Sequence, residues 1–224
     1  MKPEAEELIA SSTLVCQEKL GYAEVYTLKR DDKKFYVCIS GIGKVLAGIA
    51  AASCCLRYPE IDAFVNLGIG GSLDAEKAPC LSAVVGNLGF VQHDMDTSAF
   101  GDPIGYLNGL DEVVLPSNPM TDHKLHSVCE SLGVPCCNGA IASGDQFIVD
   151  EKAKQAIVDR FGCLCIDMEA AAFAEACHVY EKGFSALRII SDAVDHHAEY
   201  VKNKPLACSL ASKVGMALID AYGG

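Results

Sequence analysis

The chain has no apolar run near the roughly 20 residues that cross a bilayer. It also has no CxxC pair, no Pro/Gly/Ser-rich linker, no internal repeat and no cluster of basic residues. Each absence excludes something. Without a spanning run no membrane helix is expected. The acidic opening MKPEAEELIA lacks the basic start and apolar core of a secretory leader, so the expected setting is the cytoplasm. A formal net charge of −12, with scattered basic residues, argues against nucleic acid or an anionic membrane as partner, because phosphate binding needs a basic patch. Without a linker or a shift in composition, residues 1–224 are read as one domain.

Twelve cysteines are present, and the closely spaced ones fall as Cys54-Cys55, Cys136-Cys137 and Cys163-Leu164-Cys165 inside apolar stretches. That spacing does not suit a zinc site. Reduced thiols packed as small hydrophobes are expected, with no metal and no organic cofactor. Half of the residues are apolar, enough for a sizeable core.

Strand-like and helix-like stretches alternate. The pattern predicts a helix start over Pro3–Ala10 and strands at Leu14–Glu18, Ala23–Arg30 and Phe35–Ser40. A small-residue helix follows Lys44, and a strand at Ile61–Leu67 leads into the Gly68–Gly71 turn. Leu81–Val91 and Cys136–Ala142 each read as one strand, and Glu112–Leu115 as a short one. Helices are expected over Asp122–Leu132, capped by Thr121, over Asp150–Arg160 and over Pro205–Tyr222. Such alternation points to an α/β protein, a three-layer α/β/α fold around a central twisted mixed sheet.

The chemistry concentrates between Cys163 and Asp195. Strand Cys163–Asp167, an alanine-rich helix opened by Met168-Glu169, and strand Phe184–Ile190 read as a βαβ unit with parallel strands. Glu169 and Asp192 would then sit at carboxyl ends of strands, where open α/β sheets place their ligand crevice. Arg188, four residues before Asp192, shares its face by period-2 spacing. Elsewhere the signals are weaker. Ser40-Gly41-Ile42-Gly43-Lys44 is no P-loop, since Val45 follows the lysine, and Leu46 leaves GxGxxG incomplete. His93-Asp94-Met95-Asp96 reads as a polar loop, His123 and His126 as a solvated helix face, and Asp195, His196 and His197 as solvent-facing.

Taken together, SGIGKVLAGIAAA, VNLGIGG, QHDMDTSAFGDP, SGDQFIVD, CIDMEAAAFAEAC and LRIISDAVD resemble, in order, the signatures of the nucleoside phosphorylase superfamily. Within it they look most like the 5′-methylthioadenosine/S-adenosylhomocysteine nucleosidases. The resemblance implies a cofactor-free hydrolase that cleaves the N-glycosidic bond of a 5′-modified adenosine, a small-molecule nucleoside substrate, and a homodimer. By motif, Asp192 would serve adenine N7 and the exocyclic amine, with Ser191 holding it. Phe147 would stack on the base and backbone groups of Ile148 would bind its edge. Glu169 would take the ribose hydroxyls, Met168 would pack on the sugar, and the Ile69-Gly70 turn would lie beside it. Glu4, helped by Arg188, would position and deprotonate the attacking water. Phe100 would reach the neighbouring subunit's 5′-alkylthio pocket.

A phosphorylase of this fold would carry an arginine where this chain has Asn66, and none stands near Gly41–Lys44, so water is the expected nucleophile. The chain departs from the family pattern in two places. No apolar strand precedes Glu4, and Ile69 stands where serine is usual. A purine nucleoside phosphorylase and a catalytically impaired nucleoside-binding relative stay open as alternatives. So does a purely structural Asp192–Arg188 ion pair.

Overall fold

The computed structural model describes residues 1–193 and 196–222, apart from the side chain of His196. Asp195 lies outside the described residues, and His197 is exposed. A 3₁₀ turn, Lys2–Glu4, and helix α1 (Glu6–Ala10) precede a three-stranded antiparallel meander: β1 (Thr13–Leu20), β2 (Ala23–Arg30) and β3 (Lys33–Ile39). Then come α2 (Lys44–Arg57), β4 (Ala63–Ser72), β5 (Ala83–Val85), β6 (Phe90–Gln92) and α3 (Pro119–Ser131). The chain continues through β7 (Cys136–Asn138), β8 (Ile141–Ser143), α4 (Glu151–Phe161), β9 (Cys165–Asp167), α5 (Ala170–Val179), β10 (Gly183–Asp192) and α6 (His196–Ala221).

The second sheet has seven strands in the order β6-β8-β9-β4-β10-β5-β7, and it is mixed, as expected. Helices cover both faces. Ala47, Ala50 and Ala51 of α2 and the Ala170–Ala174 run of α5 form one core layer with Val84, Phe90, Ile141 and Phe184. Small side chains there let the two helices lie close to each other and to the sheet. On the other face Leu125 and Val128 of α3 and Ala207, Ala211 and Val214 of α6 pack on Val85, Leu187 and Ile189.

The structure corrects several expectations, each for a physical reason. Leu81–Val91 is two strands: the chain bends at Gly86 and at Gly89 (φ 104°), and β5 and β6 end up far apart in the sheet. Cys136–Ala142 is likewise broken, at Gly139, into β7 on one edge and β8 beside β9. Apolar side chains flank each break, so the runs read as continuous, although Gly86-Asn87 and Asn138-Gly139 are turn residues at the breaks themselves. Glu112–Leu115 makes only isolated bridges, Phe90 with Leu115 and Leu107 with Glu112. The cap of α3 is Asn118, whose side chain accepts from the Met120 and Thr121 amides, with Pro119 in the first turn; Thr121 lies inside the helix. Helix α6 begins well before Pro205.

The β9–α5–β10 segment is not a parallel βαβ unit. Strand β9 pairs antiparallel with β4, which pairs parallel with β10, so β9 and β10 run in opposite directions with β4 between them. The glycines after Leu67 are also not a turn, because β4 continues through Gly68–Gly71 to Ser72. The additional strand that the resemblance puts in the middle of the sheet is absent among the described residues. Strand β3 pairs only with β2, and β4 has no strand partner opposite β10 before Gly71. Both line a groove of about 610 Å³, together with Leu8, Tyr58 and Leu218.

Candidate active site

The crevice forms over the middle of β4. Strand β10 runs parallel to it in register from Gly183 to Ile190, and there the register slips, so that Ile190 faces Gly70 and Asp192 faces Gly71. Ser191 is the extra residue of a β-bulge, a device that re-aims side chains at the end of a ladder. As a result Arg188, Ser191 and Asp192 all border one cavity, although strict alternation would have sent Ser191 away. Asp192 is buried, and the Ser191 hydroxyl donates to its Oδ1 at 2.7 Å and reaches the Gly70 carbonyl at 3.2 Å. The Asn203 amide of α6 donates to the Ser191 carbonyl at 3.0 Å, which ties the strand end to the helix.

On the opposite wall stands Glu169, at the head of α5. Its Oε1 accepts the Gly43 amide at 3.0 Å. Burial and the neighbouring Asp167 push its carboxyl above the ordinary value, while Arg188 and the Gly43 amide offset part of the rise. Glu4 enters from the 3₁₀ turn. It is buried, accepts the Ile69 amide at 3.1 Å on Oε1, and pairs with the terminal ammonium of Met1. The Ser212 hydroxyl of α6 holds the Glu4 carbonyl at 2.8 Å. A Cβ at position 68 would come within 2.9 Å of Glu4 Oε1, so any larger residue there would push this carboxylate aside.

Phe147 is half exposed over the mouth and meets the Tyr200 ring edge-on, at 5.4 Å between centroids. With Gln146, Ile148, Met168, Ile69 and Gly70 it completes a cavity of about 120 Å³. Every expected site residue therefore borders this one cavity, except Phe100. That ring stands apart, 88 % exposed, on the 3₁₀ turn Ser98–Phe100. Ile69 contributes through its backbone, while its side chain packs into the core with Leu187 and Ile189.

Arg188 is not paired with Asp192. Its Nε donates to Asp167 Oδ2 at 2.8 Å, its Nη1 to the Asn66 carbonyl at 2.9 Å, and its Nη2 to the Asn66 side chain. Asp167 in turn accepts the Ser143 hydroxyl and the Ala170 amide, the latter at 3.0 Å. Sequence reasoning missed Asp167, although it lies in the same DMEAAA motif as Glu169. It also missed Tyr200, which lies in α6 ahead of the helix expected from Pro205 onward. Among the described residues no group of three or more His, Cys, Asp or Glu could hold a metal ion; the carboxylate of Asp94 meets Lys44 instead. His126 contacts Asn138 and the Cys136 thiol, so that side chain is engaged and not merely solvated.

A mixed sheet with acids gathered over its central strand, an aromatic lid and a buried arginine defines a crevice for a small polar molecule with a flat, stackable part. The comparisons give the class more closely. The family model of the phosphorylase superfamily matches residues 1–220, and the chain belongs to that superfamily. A 5′-methylthioadenosine/S-adenosylhomocysteine nucleosidase of Shewanella baltica is 30% identical over 193 residues, covering 86% of this chain and 80% of its own length. The solved structure of the nucleosidase of that name from Neisseria meningitidis, in complex with methylthio-immucillin-A, superposes with a TM-score of 0.91. It is 25% identical, over 99% of this chain and 96% of its own. The futalosine hydrolase of Helicobacter pylori shares the fold, with a TM-score of 0.90 at 23% identity over 99% and 94%.

Proposed function

We propose that this protein hydrolyses the N-glycosidic bond of a 5′-modified adenine nucleoside of the methylthioadenosine or S-adenosylhomocysteine class and releases adenine. The observation that carries the reading is the convergence of Glu4, Glu169, Arg188 and Asp192 on one cavity beneath Phe147. Two carboxylates on different elements can divide acid and base work at a glycosidic bond. Adenine leaves poorly as an anion, so Asp192, oriented by Ser191, protonates or hydrogen-bonds N7 and the exocyclic amine. Phe147 stacks on the base, backbone groups of Ile148 meet its edge, and Met168 packs on the sugar. Glu169 accepts from the ribose hydroxyls, a bond that strengthens as positive charge develops on the ring. Glu4, fixed by the Ile69 amide, orients and deprotonates the water.

The choice of water over phosphate is supported by charge. Among the described residues lining the cavity, Arg188 is the one side-chain cation, and its donors are engaged with Asp167, Asn66 and the Leu187 carbonyl. A phosphate dianion wants such donors pointed at itself. The proposal includes a homodimer. The reading is supported by the exposed apolar side chains of Val45, Ile49 and Leu56 on α2 and by the exposure of the Phe100 ring, which a partner subunit would cover. It also includes a cytoplasmic setting, in keeping with twelve cysteines that are all free thiols. No described helix is long and apolar enough to cross a membrane.

The test is adenine release from methylthioadenosine by the purified protein, measured with and without phosphate. Equal release under both conditions supports hydrolysis. Release only with phosphate would make the protein a phosphorylase, and adenine binding without release would make it a nucleoside-binding relative.

A further inference from the structure

Three loops meet behind Glu169, and a lysine outside the cavity joins them. The Lys44 ammonium, in the first turn of α2, donates to Asp94 Oδ1 at 2.5 Å and to Gln92 Oε1 at 3.0 Å. The other oxygen of Asp94 accepts the Asp145 amide at 2.9 Å, and the Asp145 carboxylate accepts the Lys44 amide at 2.8 Å. The circuit thus links the Gly41–Lys44 turn, the loop after β6 and the 144–147 stretch that carries Phe147. Gln92 extends it to Glu175, on the same helix that Glu169 heads.

From these contacts we infer that Lys44 and Asp94 are positioning residues that, by tying the Asp145 stretch to the Gly41–Lys44 turn, clamp the Gly43 amide onto Glu169. The inference rests on the nucleosidase reading for its effect on turnover. The geometry at Gly43 makes the clamp sensitive. Its φ is 91°, and a Cβ there would come within 3.0 Å of Asp145 Oδ1, so turn and carboxylate are packed against each other. The ion pair is largely shielded, with 17% and 21% of the two side chains exposed, which limits screening by salt. Burial pushes the Asp94 carboxyl up, and the Lys44 ammonium and Asp145 amide outweigh this, leaving it below its ordinary value. Lys44 is the cation paired with Asp94. Removing it leaves the shielded Asp94 carboxylate without its counter-charge, and the two loops that Asp94 joins separate. Glu169 then loses the donor that orients it, although Lys44 never touches the substrate.

The test uses Lys44→Met, Lys44→Arg and Asp94→Asn in the full chain, read in two ways. Amide hydrogen exchange follows the clamp itself. In Lys44→Met the amides of Gly43, Lys44 and Asp145 exchange at least about tenfold faster together, while Ala51 and Cys54 inside α2 keep their protection. Kinetics follow its consequence. The loss in kcat/KM is about 30-fold on methylthioadenosine, within the range that a small misplacement of a catalytic group produces, and no more than about threefold on its 2′-deoxy counterpart, which lacks a hydroxyl for Glu169. Lys44→Arg recovers most of the loss, and Asp94→Asn reproduces Lys44→Met. Equal losses on both nucleosides, failure of arginine to recover activity, or unchanged exchange at Gly43 and Asp145 would overturn the inference. If the unmutated protein releases no adenine from either nucleoside, the nucleosidase reading falls. Coupled exchange at the three amides then still supports the clamp, and uncoupled exchange overturns it.

Discussion

The two long edges of β4 are held in different ways. On one side β10 pairs with it residue by residue from Gly183 to Ile190 and delivers Arg188, Ser191 and Asp192 from a strand that is buried from Phe184 onward. On the other side lies the groove shared with β3, and Glu4 reaches the site from a short turn, held by the Ile69 amide and, through its carbonyl, by Ser212. On the proposed mechanism, the acid that would serve the leaving group, Asp192, is thus built into the sheet, whereas the base that would serve water, Glu4, is pinned at a few points. A site can separate its two jobs in this manner: one group needs a fixed direction toward a rigid purine, and the other acts on a mobile water.

The largest effect should come from the rigid side. Asp192→Asn removes the acid and should lower kcat for adenine release about 10³-fold, within the span attributed to general acid catalysis, with the thermal unfolding midpoint little changed. An activity loss accompanied by a collapse in stability would mean that Asp192 is structural. Next, Arg188→Met leaves the Asp167 carboxylate buried beside an apolar side chain. Both members of that pair are 2% exposed or less, and losing one partner of such a pair costs about 3–5 kcal/mol, readable from urea unfolding. A cost below about 1 kcal/mol would place the pair with weak surface bridges.

Glu4→Gln probes the loosely held side. It should cut kcat about 10²-fold with KM nearly unchanged, because the amide still fits the Ile69 amide's surroundings but cannot take a proton from water. An equal rise in KM would show that Glu4 binds the nucleoside instead. The smallest effect concerns pH. Burial and Asp167 hold the Glu169 carboxyl above its ordinary 4.5. If the ionised form accepts the ribose hydroxyls as proposed, kcat/KM should fall as pH drops through that raised value, before ordinary carboxylates protonate. Glu169→Gln should abolish this limb while lowering the plateau. Persistence of the limb in the variant would assign it to another group.

Much of the crevice was legible because its residues lie in compact motifs at strand and helix ends, where few other placements are possible. DMEAAA fixed Glu169 at a helix head, and RIISD fixed Arg188 and Asp192 on one strand. The path of the chain between those motifs was less legible. The breaks in Leu81–Val91 and Cys136–Ala142 fall at Gly86-Asn87 and Asn138-Gly139, turn residues that were overlooked because both halves of each run belong to the sheet and carry similar side chains. Strand direction was misread at β9 for a related reason. Three buried residues give no local signal of which neighbour they join, and pairing with β4 at Gly71 and Ser72 decides it. Asp167 escaped notice because only the tertiary structure brings it against Arg188, 21 positions away.

The central claim, that water is the nucleophile, is tested most directly by running the reaction in ¹⁸O-labelled water with phosphate present. The account predicts a free thioribose product that carries one label, in its anomeric hydroxyl. An unlabelled sugar phosphate would contradict it.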